Sequence, residues 1–307
     1  MNYIQKKIRQ FQESAWLLGI CESGYDDLKA GRIHWIDNGE YKGKKWFADP
    51  FILDYDEEQI TLLVEEFDYK VHRGRIARLI VDRSKWRVTD CKIILDLSTH
   101  LSFPMIWREE GRVYVCPENY KSGQWKMYEY DKKENTLQSV GLLLDEPLTD
   151  ATLYKDNGYY YILSTYDPTP NGQKLTIWKS ESLKSEFIKT QDVLFEENIA
   201  RNAGMVFKDG DRLIRPSQEC NKTYGHAITF QHLQKGEDDR FIFNVLWRMT
   251  SPHPGRYDLG IHTYNQHTDG MAVIDVKGWR YPIIGPLING VGNMLVELGL
   301  KKAYRPQ

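Results

Sequence analysis

The chain has 307 residues, of which 41% are apolar and 13% aromatic, a composition that allows a large core and favours β-strands. Its formal net charge is −2, so the sequence gives no electrostatic reason to expect nucleic-acid binding. No stretch approaches the roughly 20 consecutive apolar residues of a membrane span. The basic N-terminus has no apolar run behind it, so no secretory signal is predicted.

The four cysteines are scattered along the chain, with no CxxC pair and no metal-ligand spacing: Cys21, Cys91, Cys116 and Cys220. We therefore predict free thiols in a reducing compartment and no metal site. Together with the missing signal, this pattern predicts a cytoplasmic protein.

We predict two strands in the N-terminal part of the chain, before residue 45. Residues 1–14 are expected to form a short polar helix or a tail. SAWLLGICES and RIHWIDN are predicted strands, and GYDDLKAG between them a turn or helical turn.

Residues 45–81 predict three antiparallel strands, the first of which contains Asp49 and Pro50. A central strand rarely accepts proline, because the ring removes a donor from the hydrogen-bond ladder. The pair therefore indicates the first residues of a strand at a rim or channel, where an acid is a candidate for chemistry. Capping of a turn by Asp49 is the alternative.

A pattern of four strands then recurs at intervals of about 50 residues, the signature of β-propeller blades. Turn signals such as DNG at 156–158 support the hairpins. The fifth unit supplies only two strands, and the two N-terminal strands would complete it and leave no free edge. We predict an all-β, five-bladed β-propeller over residues 1–280, in preference to a pair of β-sandwich domains.

Residues 281–307 are predicted to form a C-terminal extension with a weak amphipathic helix around 287–302, whose glycines reduce its helical propensity. This helix would either pack on the side of the propeller or dock on a partner or membrane surface. In the second case the protein would be peripheral to the inner face of the membrane.

Polar residues recur at one position of each predicted inner strand, so they should surround one mouth of the central channel. Water in the channel accounts for some of this polarity, but not for two carboxylates, an arginine and a histidine at one opening. The recurring residues are Asp49, Ser102, Asp150, Asn202 with Arg201, and His262 with Thr263.

An ordered set of fragments between about residues 46 and 265 resembles a known family. It is similar to the five-bladed propellers of glycoside hydrolase family 43, and more closely to the N-terminal propeller module of plant glucosamine inositolphosphorylceramide transferases and their bacterial relatives from surface-polysaccharide gene clusters. The fragments are WFADPF, LLVEEF, GRIA, HLSFP, PEN, DATLY, ARNAG, RPSQEC, YGHAI and GIHTYN.

The resemblance to the hydrolases implies that Asp49 is a general base and that Asp150 tunes and orients a general acid. Inverting glycosidases separate acid and base by roughly 6.5–9.5 Å, a gap that facing blades can supply. The hydrolases carry the acid as a Glu on the inner strand of blade four, where this chain has ARNAG and no carboxylate.

Three glutamates at the ends of second strands are candidate replacements for the acid: Glu66, Glu118 and Glu219. We favour Glu118, because Pro117 stiffens the backbone before it. Alternatively, each glutamate accepts a hydrogen bond from an arginine or from the backbone of a neighbouring blade. Glu66 and Glu219, if they are not the acid, are expected to line the substrate site.

Further side chains are candidates for substrate binding. Arg73, Arg201 and Arg215 would suit an anionic group such as a sugar phosphate or uronic acid, unless they pair with the glutamates. His262 would hold a channel ligand or water, or be structural. Trp107, with Tyr120, would stack on a sugar, or pack in the core.

The predicted function is an enzyme that makes or cleaves a glycosidic bond during synthesis of a surface polysaccharide or glycolipid. The alternative is a non-catalytic propeller that binds a glycan or nucleotide-sugar. The expected partners are a sugar, oligosaccharide or nucleotide-sugar, and neither nucleic acid nor a cofactor. No oxygen-rich calcium loop is present in the sequence, so no calcium ion is predicted.

Overall fold

The computed structural model describes residues 13–166, 168–238 and 240–297, with side chains described up to residue 290. Five four-stranded antiparallel sheets surround a central axis, which confirms the predicted five-bladed propeller. The chain begins with β1 (Ser14–Cys21), α1 (Gly24–Ala30) and β2 (His34–Trp35). The predicted second strand is thus only two residues long.

The first three complete blades follow in order from the inner to the outer strand. Blade one contains β3 (Lys45–Tyr55), β4 (Gln59–Asp68), β5 (Gly74–Asp82) and β6 (Arg87–Leu95). Blade two contains β7 (Ser102–Glu109), β8 (Arg112–Glu118), β9 (Trp125–Asp131) and β10 (Thr136–Leu144). Blade three contains β11 (Leu148–Asp156), β12 (Tyr159–Tyr166), β13 (Lys174–Ser180) and β14 (Ile188–Leu194).

The last two blades differ in how their strands are supplied. Blade four contains β15 (Phe207–Asp209), β16 (Arg212–Glu219), β17 (Ala227–Lys235) and β18 (Phe241–Thr250). Blade five consists of β19 (Gly260–Gln266) and β20 (Ala272–Trp279), completed by β1 and β2. β1 pairs with β20 along its whole length, from Ser14 opposite Trp279 to Cys21 opposite Ala272. The N-terminus therefore closes the ring, as predicted.

The apolar cores lie between neighbouring blades. Residues from the first three blades form a continuous cluster that includes Phe51, Phe103, Trp125 and Trp178. Because each sheet buries both faces against its neighbours, the inner strands read as nearly continuous apolar runs, and a polar residue within one of them is conspicuous.

The inner strands of the first three blades share an irregularity near their start. Each loses register with its neighbour there, and one residue has a positive φ: Asp49 (49°), Phe103 (41°) and Asp150 (43°). The left-handed conformation costs a side-chain-bearing residue about 1–2 kcal/mol. The three bulges occupy equivalent places in their blades, but the Phe103 side chain packs in the apolar core against Phe51. In blade two the residue is Phe103, next to the predicted Ser102.

The C-terminal helix α2 spans Ile284–Glu297 and begins three residues before the predicted position. Neither helix in the described chain combines the length and apolar character that crossing a bilayer requires. The helix predicted within residues 1–14 falls almost entirely outside the described residues, as does the tail from 298. The division at residue 280 remains a prediction.

Candidate functional site

Asp49 is buried at the bulge of β3, and its carboxylate is held from two sides. Thr263 Oγ1 donates to Asp49 Oδ1 at 2.9 Å, and the Phe103 backbone N–H donates to Oδ2 at 3.1 Å. Only 4% of the residue is exposed. Burial is the main cause that raises the pKa of Asp49 to about 7, and the charge of His262 opposes the rise.

The backbone N–H of the positive-φ residue in each bulge donates a hydrogen bond to a carboxylate of the preceding blade. The Asp49 N–H donates to Asp275 Oδ2 of blade five at 2.9 Å, and the Phe103 N–H donates to Asp49. The Asp150 N–H donates to Glu118 Oε2 of blade two at 2.8 Å. These carboxylates therefore have a structural function as well as a possible chemical one, because a buried unpaired N–H would be costly.

His262 lies beside Asp49 and is oriented by Asp275. Its Nδ1 is 2.8 Å from Asp275 Oδ1, and its Nε2 is 3.6 Å from Asp49 Oδ1. Trp16 stacks on the imidazole at 3.9 Å between ring centroids. Burial alone would lower the pKa of His262, but the charges of Asp275 and Asp49 raise it overall. This arrangement stabilises an imidazolium next to the Asp49 carboxylate.

Asp150 occupies the equivalent bulge of blade three and is bound by two donors. Arg201 Nε and Gln218 Nε2 both donate to Asp150 Oδ2 at 2.6 Å. Its charge contributes to raising the pKa of Asp49, which agrees with both acids lying at one end of the channel. The arginine also donates to Asn171 Oδ1 at 2.9 Å.

Glu118 completes this group at the end of β8. Arg201 NH2 lies 3.4 Å from its Oε2, and 11% of the side chain is exposed. Burial, followed by the charge of Asp150, raises the pKa of Glu118 well above its usual range, although Arg201 opposes the rise. A protonated carboxyl group at the edge of the channel can donate a proton.

The other two glutamates are placed elsewhere. Glu66 is fully buried, where Arg75 holds both its oxygens at 3.0 Å and Lys45 Nζ lies 2.7 Å from Oε1. Glu219 pairs with Arg248 at 3.2 Å. Strand register makes Glu65, opposite Ala48, the equivalent of Glu118, opposite Ser102.

The remaining residues that were predicted to bind substrate either bind other protein groups or lie away from this cluster. Arg73 pairs with Asp96. Arg215 is fully buried and binds Asn202 Oδ1, Gln231 Oε1 and the Ala200 carbonyl. Trp107 lines a separate cavity of about 450 Å³ formed by later residues of the inner strands, toward the other mouth. The structure therefore brings together Asp49, Asp150, Glu118, Arg201 and His262 of the predicted set.

Several residues of this cluster were not predicted. Asp275 was detectable, since it is a charged residue within the apolar run AVIDV of β20. Gln218 and Tyr224 lie in the fragments RPSQEC and YGHAI, but neither they nor Trp16 and Lys277 could be assigned to the cluster, because their relation to the inner strands depends on pairing and loop geometry.

One group of donors in the described chain could together contact a metal ion. Asp49, His262 and Asp275 each offer a ligand atom, all within 4.8 Å of one another. Two carboxylates and an imidazole suit a divalent cation. The same atoms, however, already bind one another and Thr263, so the group is satisfied by the protein alone.

The model of the family described as glucosamine inositolphosphorylceramide transferase 1, N-terminal, matches residues 37–270. The chain belongs to this family. It is 30% identical over 200 residues to glucosamine inositolphosphorylceramide transferase 1 of Oryza sativa subsp. japonica, and 29% identical over 199 residues to the Arabidopsis thaliana protein of the same name. These matches cover 61% and 62% of this chain, but only 26% of each relative. The chain thus spans about a quarter of the curated relatives' length.

Among solved structures, the xyloglucan PUL GH43B protein of Bacteroides ovatus superposes with a TM-score of 0.52 at 13% identity, covering 71% of this chain and 49% of that one. At this identity the likeness concerns the fold alone. The family match confirms the resemblance to the glucosamine inositolphosphorylceramide transferase N-terminal module that the sequence fragments indicated.

Proposed function

We propose that the chain is a carbohydrate-active enzyme that makes or cleaves a glycosidic bond in the synthesis of a surface polysaccharide or glycolipid. The observation that carries the proposal is the pair of buried carboxyl groups with raised pKa values, Asp49 and Glu118, at one end of the channel. Perturbed acids of this kind cluster at catalytic sites. The transferases named among its relatives support the substrate class.

In the proposed reaction, Asp49 removes the proton from an incoming hydroxyl group, of water or of an acceptor sugar. The hydroxyl oxygen forms a bond to the anomeric carbon as the bond to the leaving oxygen breaks, and Glu118 donates its proton to that oxygen. Asp150 and Arg201 position Glu118. The configuration is inverted, as in a single displacement between two carboxyl groups.

A non-catalytic propeller that binds a glycan or nucleotide-sugar is the second candidate. The observation that favours it is the inner segment of blade four, where Asn202 binds the Asp150 carbonyl at 2.7 Å and no carboxylate faces the cluster. In that case Asp49 and Glu118 would serve only the hydrogen bonds between blades.

The test is a pH–activity profile on a panel of furanosides and nucleotide-sugars, with Asp49→Asn and Glu118→Gln beside the wild type. Each variant should lower kcat by about 10²–10⁴-fold, the usual contribution of a general acid or base. The wild-type rate should rise through about pH 7 as Asp49 ionises, and loss of the proton from Glu118, whose pKa is raised by burial, should set the falling limb of the profile.

Asp54→Asn is the matched control, since Asp54 is exposed on the same strand β3. It should leave the rate unchanged. Turnover that survives in Asp49→Asn would remove the catalytic assignment, and sugar binding without any turnover would favour the second candidate.

The proposed location is the cytoplasm, and the free state of all four cysteines in the structure agrees with a reducing compartment. We further propose that α2 contacts a lipid surface. Ile283, Ile284 and Leu287, at and just before its start, are 76%, 42% and 66% exposed, and an exposed apolar face of this kind suits the membrane interface.

The lipid contact is tested by co-sedimentation with anionic phospholipid vesicles. The double change Ile284→Glu and Leu287→Glu should reduce the bound fraction several-fold, because it places charge on the inserting face. Val140→Glu with Leu142→Glu alters two equally exposed residues of the outer strand β10 and should have no effect. Equal binding of both double variants would contradict the contact.

A further inference from the structure

Lys277 is a half-buried cation that no acidic group neutralises. It lies on β20 opposite Trp16 of β1, and its Nζ is 5.6 Å from the centroid of the Trp16 ring and 5.6 Å from that of Tyr224. Its side-chain ammonium group forms neither an ion pair nor a hydrogen bond with any described residue. Burial lowers the pKa of Lys277, and the nearby Cys220 is the titratable group that opposes this.

The arginines that were expected to bind an anion contrast with this lysine. Arg73 is neutralised by Asp96, and Arg201 by Asp150 and Glu118. Arg215 is enclosed by carbonyl and amide oxygens, with no exposed surface. Lys277 is therefore the cation of this cluster whose donors remain available to a ligand.

Tyr224 connects Lys277 to the acids. Its ring lies 5.5 Å from His262 and 5.1 Å from the Arg201 guanidinium. No described residue hydrogen-bonds its hydroxyl group, and burial raises the pKa of Tyr224 well above its usual range, so the hydroxyl remains a donor. Trp16, stacked on His262, forms the adjacent wall. The rings of Trp16 and Tyr224 thus contact both Lys277 and His262, which lies beside Asp49 in the proposed reaction centre.

We propose that Lys277 Nζ and the Tyr224 hydroxyl group form a subsite for an oxyanion carried by the substrate, either a phosphoryl or a carboxylate group. The proposal rests on the proposed function and specifies its substrate as an anionic sugar derivative. A half-buried ammonium group without an anionic partner has an uncompensated desolvation cost, and a bound anion would offset that cost. Lysine binds phosphate as a point charge, and a phenol adds one directed hydrogen bond.

The test is titration of the full chain with inorganic phosphate, glucuronic acid and neutral glucose, followed by calorimetry. Lys277→Gln should weaken binding of the preferred anion at least about tenfold, the contribution of one charged hydrogen bond. Lys277→Arg keeps the positive charge and should retain most of the anion affinity. Loss of affinity in Lys277→Gln alone would then be due to loss of the charge and not to misfolding. Glucose affinity should not change in either variant.

Lys174→Gln is the matched control, since Lys174 is also half-buried against an aromatic ring, 5.1 Å from that of Tyr166, but lies on β13, which β12 separates from the inner strand that carries Asp150. It should bind both anions like the wild type. The preference between phosphate and glucuronic acid identifies which oxyanion the subsite takes.

Asp49→Asn separates this inference from the proposed function, because it should lower kcat by about 10²–10⁴-fold and keep the anion affinity. Wild-type anion affinity in Lys277→Gln, or no anion binding by the wild type at millimolar concentrations, overturns the subsite and leaves the catalytic proposal intact. Anion binding that depends on Lys277 in a protein without turnover supports the subsite and counts against catalysis.

Discussion

Asp49 is an ionisable residue that is buried from solvent, and this should make the stability of the protein depend on pH. Its pKa is raised from the model-compound value of 3.8 to about 7 in the folded chain. Between these values the folded state keeps a proton that the unfolded state has lost. The free energy of unfolding therefore falls as pH rises from about 4 to about 7.

Asp49→Asn should remove this dependence. Asparagine never ionises, and its single carboxamide oxygen can still accept from the Phe103 N–H while its amide nitrogen faces the Thr263 hydroxyl group, so above pH 7 the variant should be more stable than the wild type by about 2–4 kcal/mol. Urea denaturation at pH 5 and pH 8 measures the difference. Asp54→Asn is again the control, and an equal difference at both pH values would show that Asp49 is not buried as an acid.

At the scale of single elements, Gly204 fixes how blade four meets blade five. A Cβ atom at this position would lie 1.9 Å from the Tyr264 carbonyl oxygen, which belongs to the backbone of β19. That strand cannot move away, because the Tyr264 N–H donates to the Ala203 carbonyl at 2.8 Å. The glycine of the ARNAG fragment is therefore required by close packing of two backbones.

Gly204→Ala should lower the free energy of unfolding by about 3 kcal/mol, since a clash with backbone cannot be relieved by a rotamer change. The measurement is chemical denaturation. Gly141→Ala is the control, because a Cβ on that outer-strand residue would contact nothing within 4 Å. Equal stability of the two variants would show that the two backbones are not closely packed.

The strands and their order could be predicted because each hairpin carries an apolar run and a turn signal, as in the DNG turn between β11 and β12. The positions of the bulges could not be predicted from the sequence. Asp49 and Asp150 were selected for their residue types, but the third bulge contains Phe103, whose sequence context gives no sign of a positive φ. Pairing of Glu66 and Glu219 with arginines was one of the two alternatives, but the partners Arg75 and Arg248 could not be identified, since strand register brings them close.

At the scale of the whole molecule, ring closure depends on β1. Leu18 and Ile20 of this strand are fully buried in one apolar cluster with Phe47 of blade one, and β1 joins the first and last parts of the chain through β20. Loss of packing there should affect all five blades together, because opening the ring exposes two sheet edges at once.

Leu18→Ala should therefore lower the single unfolding midpoint of the whole domain by roughly 4–10 °C, which corresponds to the cost of a buried cavity in a chain of this size. Differential scanning calorimetry measures it. Ile188→Ala changes a residue of the outer strand β14 that is 64% exposed and should shift the midpoint little. A separate early transition in Leu18→Ala would show that blade five melts independently.

The bond from each bulge to a carboxylate of the previous blade has a consequence for comparing members of this family. A relative without the proposed catalytic activity would still need an acceptor at positions 49, 118 and 275 to keep its sheets joined. Retention of these acids in a relative is therefore evidence of an intact fold. A relative without the proposed activity is better recognised by changes at residues that do not join the sheets in this way, such as Lys277.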